Sequence, residues 1–173
     1  MKDAGRIRLI LSDIDGVMTD GKIVYTERCG EIKAFSARDG FGIRLWMKTG
    51  GLFGVVTGRS SEVVRLRCND LGVSILEQGI LDKAETVRQI TSRLGVSLDE
   101  TAFIGDDYPD LPALKIVGFP AGVADAAEEV RASSVWVSDV PGGKGAVRQL
   151  IETLLKARGE WDRALAFYRG ENV

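Results

Sequence analysis

Histidine is absent from all 173 residues. That absence removes Ser-His-Asp and Cys-His nucleophilic chemistry, and with it zinc sites built on imidazole. Cysteine is almost absent: Cys29 and Cys68 are too few for a Cys₄ site or a disulfide framework, so a reducing, cytoplasmic setting is expected. Basic residues are not in excess, with 23 Lys+Arg against 25 Asp+Glu, so nothing marks a nucleic-acid surface. No apolar run approaches the ~18 residues that suggest a membrane span. The opening MKDAGRIRLI lacks the apolar core and cleavage site of a signal peptide, so none is expected. What remains for chemistry is carboxylate, lysine, arginine and hydroxyl, a set that suits a hard cation such as Mg²⁺ held by oxygen.

The 45% apolar content is enough for one domain, residues 1–173, with a sizeable core. Buried-strand patterns at Arg8–Ser12, Leu52–Val56, Val73–Leu76 and Thr101–Ile104 alternate with helical patterns at Asp39–Lys48, from a cap at Ser60 or Ser61 to Leu71, and at Asp82–Leu94. Further on, Val123 is placed on a brief strand and Val135–Val137 reads as extended. Asp125–Arg131 and Gly145–Ala157 read as helical, and a short helix follows Pro109. Lys22–Tyr25 and Glu31–Phe35 flank TERCG and read as a hairpin, about 22–36, with Gly30 in its turn. Phe41, Trp46 and Trp136 read as core residues. The stretch from Gly159 to Val173 is a tail whose aromatic content predicts docking, with closure over an active site as one destination. Alternation of this kind predicts an α/β fold with a doubly wound, mostly parallel, Rossmann-like sheet.

Ligands of open α/β sheets sit beyond the carboxyl ends of the strands. The residues there are chemically loaded. Asp13 and Asp15 follow the first strand, Thr57-Gly58-Arg59 the second, and Asp106, Asp107 and Asp110 the fourth; Lys83 follows the loop after the third. Two carboxylates one residue apart at the mouth of a buried strand repel and lose solvation, and a divalent cation offsets both costs. A hydroxyl, backbone N–H groups and a lysine beside it would suit a phosphoryl group. Each signal has a plainer reading: an Asp-Gly turn, a helix-capping Thr57, a solvated Lys83, a Pro109 that merely opens a helix. Arg59 is either solvated or a fork for an anion. An EF-hand is ruled out, since the twelfth position from Asp13 is Val24, and GGKGAV is not a Walker loop. That loop is either a flexible helix entry or a contact over a bound ligand.

DIDGVMTDG, Thr57-Gly58-Arg59, Lys83 and GDDYPD resemble, in order, the four motifs of the haloacid dehalogenase superfamily of phosphatases. The hairpin YTERCGEIKAFSARDGFGI resembles the subfamily that lacks a cap domain, which includes 3-deoxy-D-manno-octulosonate 8-phosphate phosphatases. The resemblance implies a Mg²⁺-dependent phosphomonoesterase working through an aspartyl-phosphate. It implies Asp13 as nucleophile and Asp15 as general acid and base. It implies Mg²⁺ on Asp13, Asp106 and the backbone carbonyl of Asp15. Thr57, Gly58 and Lys83 would hold the phosphoryl group, Arg59 would bind substrate, and Asp107 and Asp110 would support the site, Asp110 by positioning Lys83 or a metal-bound water. The implied substrate is a small phosphorylated sugar acid, 3-deoxy-D-manno-octulosonate 8-phosphate, used in making lipopolysaccharide precursors. Arg59, where relatives acting on nine-carbon sugar acids tend to carry Glu, tilts the reading from that alternative. The resemblance also implies a homotetramer. A phospho-receiver is the other module built from such residues, but it takes phosphate after its third strand, where this chain has Glu77-Gln78-Gly79.

Overall fold

The computed structural model describes residues 4–27 and 30–170. In chain order its strands are β1 (Leu9–Ser12), β2 (Val24–Tyr25), β3 (Glu31–Ile32), β4 (Leu52–Val56), β5 (Ile75–Glu77), β6 (Thr101–Gly105), β7 (Phe119–Gly122) and β8 (Trp136–Val137). Its helices are α1 (Ala37–Lys48), α2 (Glu62–Leu71), α3 (Lys83–Leu94), α4 (Leu111–Leu114), α5 (Glu128–Ala132), α6 (Ala146–Ala157) and α7 (Trp161–Arg169).

A parallel strand between two layers of helices must be apolar on both faces. β1 meets that demand, with all four residues buried, and it takes the centre. It pairs in parallel with β4 on one side and β6 on the other, Ser12 lying opposite both Val55 and Ile104. The full order is β5-β4-β1-β6-β7-β8, parallel at every pairing. This is the doubly wound sheet the sequence predicts. The chain turns outward in both directions from β1, so the crevice between the β4 and β6 sides opens where β1 ends. β2 and β3 form a separate two-stranded antiparallel sheet, closed by Thr26 N–H donating to the Gly30 carbonyl at 2.8 Å. No cap domain interrupts the described residues. Cys29 lies outside them; Cys68 is a buried free thiol.

Local capping sets the helix starts. The Ser36, Ser61 and Asp82 side chains accept from the backbone N–H groups of Asp39, Val64 and Glu85, and left-handed Gly72 and Gly95 close α2 and α3. α6 begins at Gly145, which has no capping side chain. Its cap comes from α1: the buried Asp39 carboxylate accepts from Arg148 N–H at 2.7 Å.

Several boundaries differ from the sequence reading. β5 starts at Ile75, because Val73 N–H is taken by the Cys68 carbonyl at 2.9 Å in the closure of α2. The strand placed at Val123 is Phe119–Gly122, hidden from pattern reading by Pro120 and two flanking glycines. α5 starts at Glu128 rather than Asp125. Residues 125–127 serve the loops instead: Asp125 accepts from Gly142 N–H at 2.9 Å, and Ala127 N–H donates to the Asp106 carbonyl at 2.8 Å.

Trp46 is fully buried as expected, but Trp136 only lies against the core and Phe41 is 37% exposed. Phe41 instead meets the Tyr168 ring edge-on at 4.9 Å, with the Arg148 guanidinium over its face. The tail is helical and does dock, burying Ala164 and Ala166. A cleft of about 380 Å³ runs between α7 and Leu45–Gly50. Those residues lead into the first residue of β4, so within one chain α7 sits at the opposite end of the sheet from Asp13. Closure over the chain's own site is thereby corrected.

Candidate active site

At the carboxyl ends of β1, β4 and β6 lies a cleft of about 330 Å³ lined by Asp13, Asp15, Thr57, Arg59, Lys83 and Asp106. Gly58, Asp107 and Asp110 line it too. All nine residues singled out in the sequence therefore converge. Asp13 continues β1, its N–H donating to the Ile104 carbonyl of β6 at 3.1 Å. Thr57, buried, follows β4; its N–H donates to the Glu77 carbonyl, and its carbonyl accepts from Ile80 N–H. This pair of bonds brings the loop carrying Lys83 under the cleft.

Lys83 is 3% exposed. Its Nζ stands 2.5 Å from Asp110 Oδ1 and 3.0 Å from Asp13 Oδ1. The other Asp110 oxygen accepts from the N–H groups of Asp106 and Asp107, at 2.9 and 3.3 Å. Asp110 thus fixes both Lys83 and the turn that presents Asp106. Asp107 caps that turn, accepting from Tyr108 N–H at 2.8 Å.

Oxygen atoms of Asp13, Asp106 and Asp110 lie within 4.8 Å of one another. One lysine faces three carboxylates. Burial pushes the Asp13 carboxyl up to about 6, helped by Asp110 and opposed by Lys83. Asp106 is pushed up to about 8 by burial and by Asp110, Asp13 and Asp107. Burial works against the Lys83 ammonium, but Asp13 and Asp110 together outweigh it and raise its pKa. Asp106 Oδ1 is buried with no hydrogen-bond partner. A buried, unpartnered carboxylate oxygen in a group short of positive charge fits a hard divalent cation. The fit extends to the backbone. Gly16 has φ +91°, and a Cβ there would stand 1.9 Å from Asp106 Oδ2, so only glycine lets the β1 loop close on Asp106.

The hairpin brings residues that sequence reasoning missed. Lys33 bonds to Asp15 Oδ1, and it also stands 3.3 Å from Glu31. Glu31 and the Tyr25 hydroxyl accept from Arg59 at 3.0 and 3.2 Å, and Arg59 Nε lies 3.6 Å from Asp15 Oδ2. Arg59 is therefore engaged with the hairpin while its side chain stays partly exposed. No local pattern marks Lys33: it is one of two lysines in the hairpin, and only the folded contact singles it out. The GGKG loop packs down on the β1 loop, Gly143 N–H donating to the Val17 carbonyl at 2.9 Å, so it braces the site from beneath.

Residues 72–150 match the family model of haloacid dehalogenase-like hydrolases. The chain is 37% identical over 164 residues to the 3-deoxy-D-manno-octulosonate 8-phosphate phosphatase KdsC of Escherichia coli, covering 95% of this chain and 87% of that protein. The crystal structure of the same phosphatase from Moraxella catarrhalis, in complex with a magnesium ion, a phosphate ion and a KDO molecule, superposes with a TM-score of 0.94 at 38% identity. That match covers 96% of each chain. The cobalt-bound phosphatase from Haemophilus influenzae gives a TM-score of 0.89 at 36% identity over 92% of this chain and 93% of that one. The chain belongs to the haloacid dehalogenase-like hydrolases, within the family of 3-deoxy-D-manno-octulosonate 8-phosphate phosphatases.

Proposed function

We propose that this protein is a Mg²⁺-dependent phosphomonoesterase that hydrolyses 3-deoxy-D-manno-octulosonate 8-phosphate to the sugar acid and phosphate. The observation that carries it is the convergence of Asp13, Thr57, Lys83 and Asp106 from separate strand ends into one cleft, in a chain with that kinship.

Asp13 Oδ attacks phosphorus and the bond from phosphorus to the sugar oxygen breaks. The leaving oxygen takes a proton from the Asp15 carboxyl and departs as an alcohol. A water then attacks the aspartyl-phosphate. It gives a proton to the Asp15 carboxylate while the bond from phosphorus to Asp13 breaks, releasing phosphate and restoring both carboxyl groups. Lys83, fixed by Asp110, holds Asp13 and offsets phosphoryl charge; Thr57 and the Gly58 backbone face the phosphoryl oxygens. Magnesium, held by Asp13, Asp106 and the Asp15 carbonyl, would supply the positive charge that lets the buried carboxylates stay ionised. Asp110 belongs to the same acidic cluster, and in this reading it holds Lys83 and the Asp106 turn rather than the ion.

Residues 1–173 act as one catalytic domain in this reading, in the cytoplasm. No helix among the described residues is long and apolar enough to cross a membrane. A homotetramer is part of the proposal. Its support is the hairpin face, where Ile23, Val24, Tyr25 and Ile32 are exposed beside a cleft that no cap covers. Light scattering showing only monomer at working concentration would defeat the assembly. The activity is tested by phosphate release from a panel of sugar phosphates with Mg²⁺ or EDTA. The eight-carbon keto acid phosphate should give the highest kcat/KM, and folded Asp13→Asn protein should lose at least about a thousandfold. A parent-like rate in that variant would overturn the assignment.

A further inference from the structure

Lys33 is the least expected buried charge in the molecule. Its side chain is 1% exposed although it extends from a two-stranded hairpin whose own strand residues are half-buried or exposed. A lysine is almost never fully buried unless paired, and this one is paired twice, with Asp15 and Glu31. Following the contacts round gives a closed ring of alternating charge: Asp15, Lys33, Glu31, Arg59 and back to Asp15. The ring joins three elements, the end of β1, the hairpin and the end of β4.

The two Asp15 oxygens are treated differently by this ring. Oδ1 bonds to Lys33. Oδ2 is buried, has no hydrogen-bond partner, and has only the Arg59 guanidinium 3.6 Å away. Of the two cations, Lys33 is enclosed, whereas Arg59 is 43% exposed and shared with Tyr25 and Glu31. An enclosed ammonium with two carboxylates fixes geometry far better than a half-exposed fork with three competing partners.

We propose that Lys33 is a positioning residue for proton transfer: it anchors Asp15 through Oδ1, so that Oδ2 is the oxygen that gives and takes the proton. This rests on the acid and base role proposed above for Asp15. Without the anchor the carboxylate turns away from the reacting oxygen. Attack by Asp13 does not need that carboxylate when the leaving group is already a stable anion, but hydrolysis of the aspartyl-phosphate does.

The test is Lys33→Met, which keeps the length and removes the charge, beside Lys33→Arg and Asp15→Asn, all with Mg²⁺. The substrates are p-nitrophenyl phosphate, whose leaving group needs no proton, and the sugar phosphate, whose leaving group does. Lys33→Met is expected to release close to one equivalent of p-nitrophenolate per site in a burst, followed by turnover at least about tenfold slower than the parent. Its kcat/KM should stay within about threefold of the parent for p-nitrophenyl phosphate and fall more than about tenfold for the sugar phosphate. Lys33→Arg should recover part of kcat. A Lys33→Met protein that shows no burst and loses kcat/KM equally on both substrates, with a lowered Tm, has lost structure rather than positioning and overturns the proposal. So does a parent-like kcat for Lys33→Met beside an impaired Asp15→Asn. An Asp15→Asn protein at parental rate would remove the underlying role of Asp15, and this proposal with it.

Discussion

Magnesium binding should release protons, in a number that the cluster geometry sets. With Asp106 pushed up to about 8 and Asp13 to about 6, the metal-free cleft at pH 7 holds a proton on Asp106 about nine-tenths of the time. Asp13 holds one about one-tenth of the time. Both must ionise to ligate, so about one proton leaves per magnesium bound at pH 7. At pH 6 the count rises to about 1.5, because Asp13 is then half protonated; at pH 9 it falls to about 0.1. The apparent affinity should weaken as pH falls from 8 to 6, because each bound ion must then displace more protons.

Calorimetric titration of the EDTA-stripped protein measures the count directly. The same titration at pH 7 in buffers of different ionisation enthalpy gives heats whose slope is the number of protons released. A slope near zero at pH 7, with binding intact, would show that the bound ion is not displacing a proton from this cluster. It would refute the charge argument made for Asp106.

Two substitutions probe the scaffold of the cleft. Gly16→Ala puts a methyl group where Asp106 Oδ2 stands, at a backbone angle of φ +91°; it should cost about 1–3 kcal/mol in urea denaturation and at least tenfold in magnesium affinity. Unchanged affinity would mean that the β1 loop does not shape the metal cradle. Lys83→Met leaves Asp110 buried without its cation and should cost about 3–5 kcal/mol in EDTA. A loss below about 1 kcal/mol would show that Asp13 and Asp110 shed their charge at no cost.

The sheet was legible because its strands are short apolar runs bounded by glycine and capping residues, and β1 and β4 fall almost where the pattern puts them. The groups of the candidate site were legible for a related reason. Asp13, Thr57 and Asp106 each follow a strand directly, so the rule that ligands sit at carboxyl ends assembles them without any coordinates. β7 was not legible, since Pro120 and Gly122 break its apolar run and its pairing with β6 is what makes it a strand. The Asp39 cap of α6 spans 109 residues, and no window on either helix contains both partners. Lys33 failed for the same reason. Its burial depends on Asp15, 18 residues away in the loop after β1, and the pattern of the hairpin strand gives no sign of that contact.

A cleft built to receive a divalent ion carries a cost when the ion is removed, and Asp106→Asn should expose it. In the fold Asp106 keeps its proton up to about pH 8, and in the unfolded chain only up to its ordinary 3.8. Between those values the folded state holds a proton that the unfolded state has lost. Stability from this group is therefore fully present below the lower value and is lost as pH rises toward the upper one. Asparagine is neutral throughout, and its amide can donate to the crowded carboxylates. In EDTA the variant should match the parent near pH 4 and gain on it steadily to pH 8. Above that the advantage stays constant, at no less than about 1 kcal/mol, or about 2–4 °C in Tm for a chain of this size. Saturating magnesium should reverse the ranking, because only the parent gains the binding energy. A variant less stable than the parent at pH 8.5 in EDTA would mean that Asp106 is held by contacts favouring its charge. The cluster would then be a finished part of the fold rather than a site waiting for a cation.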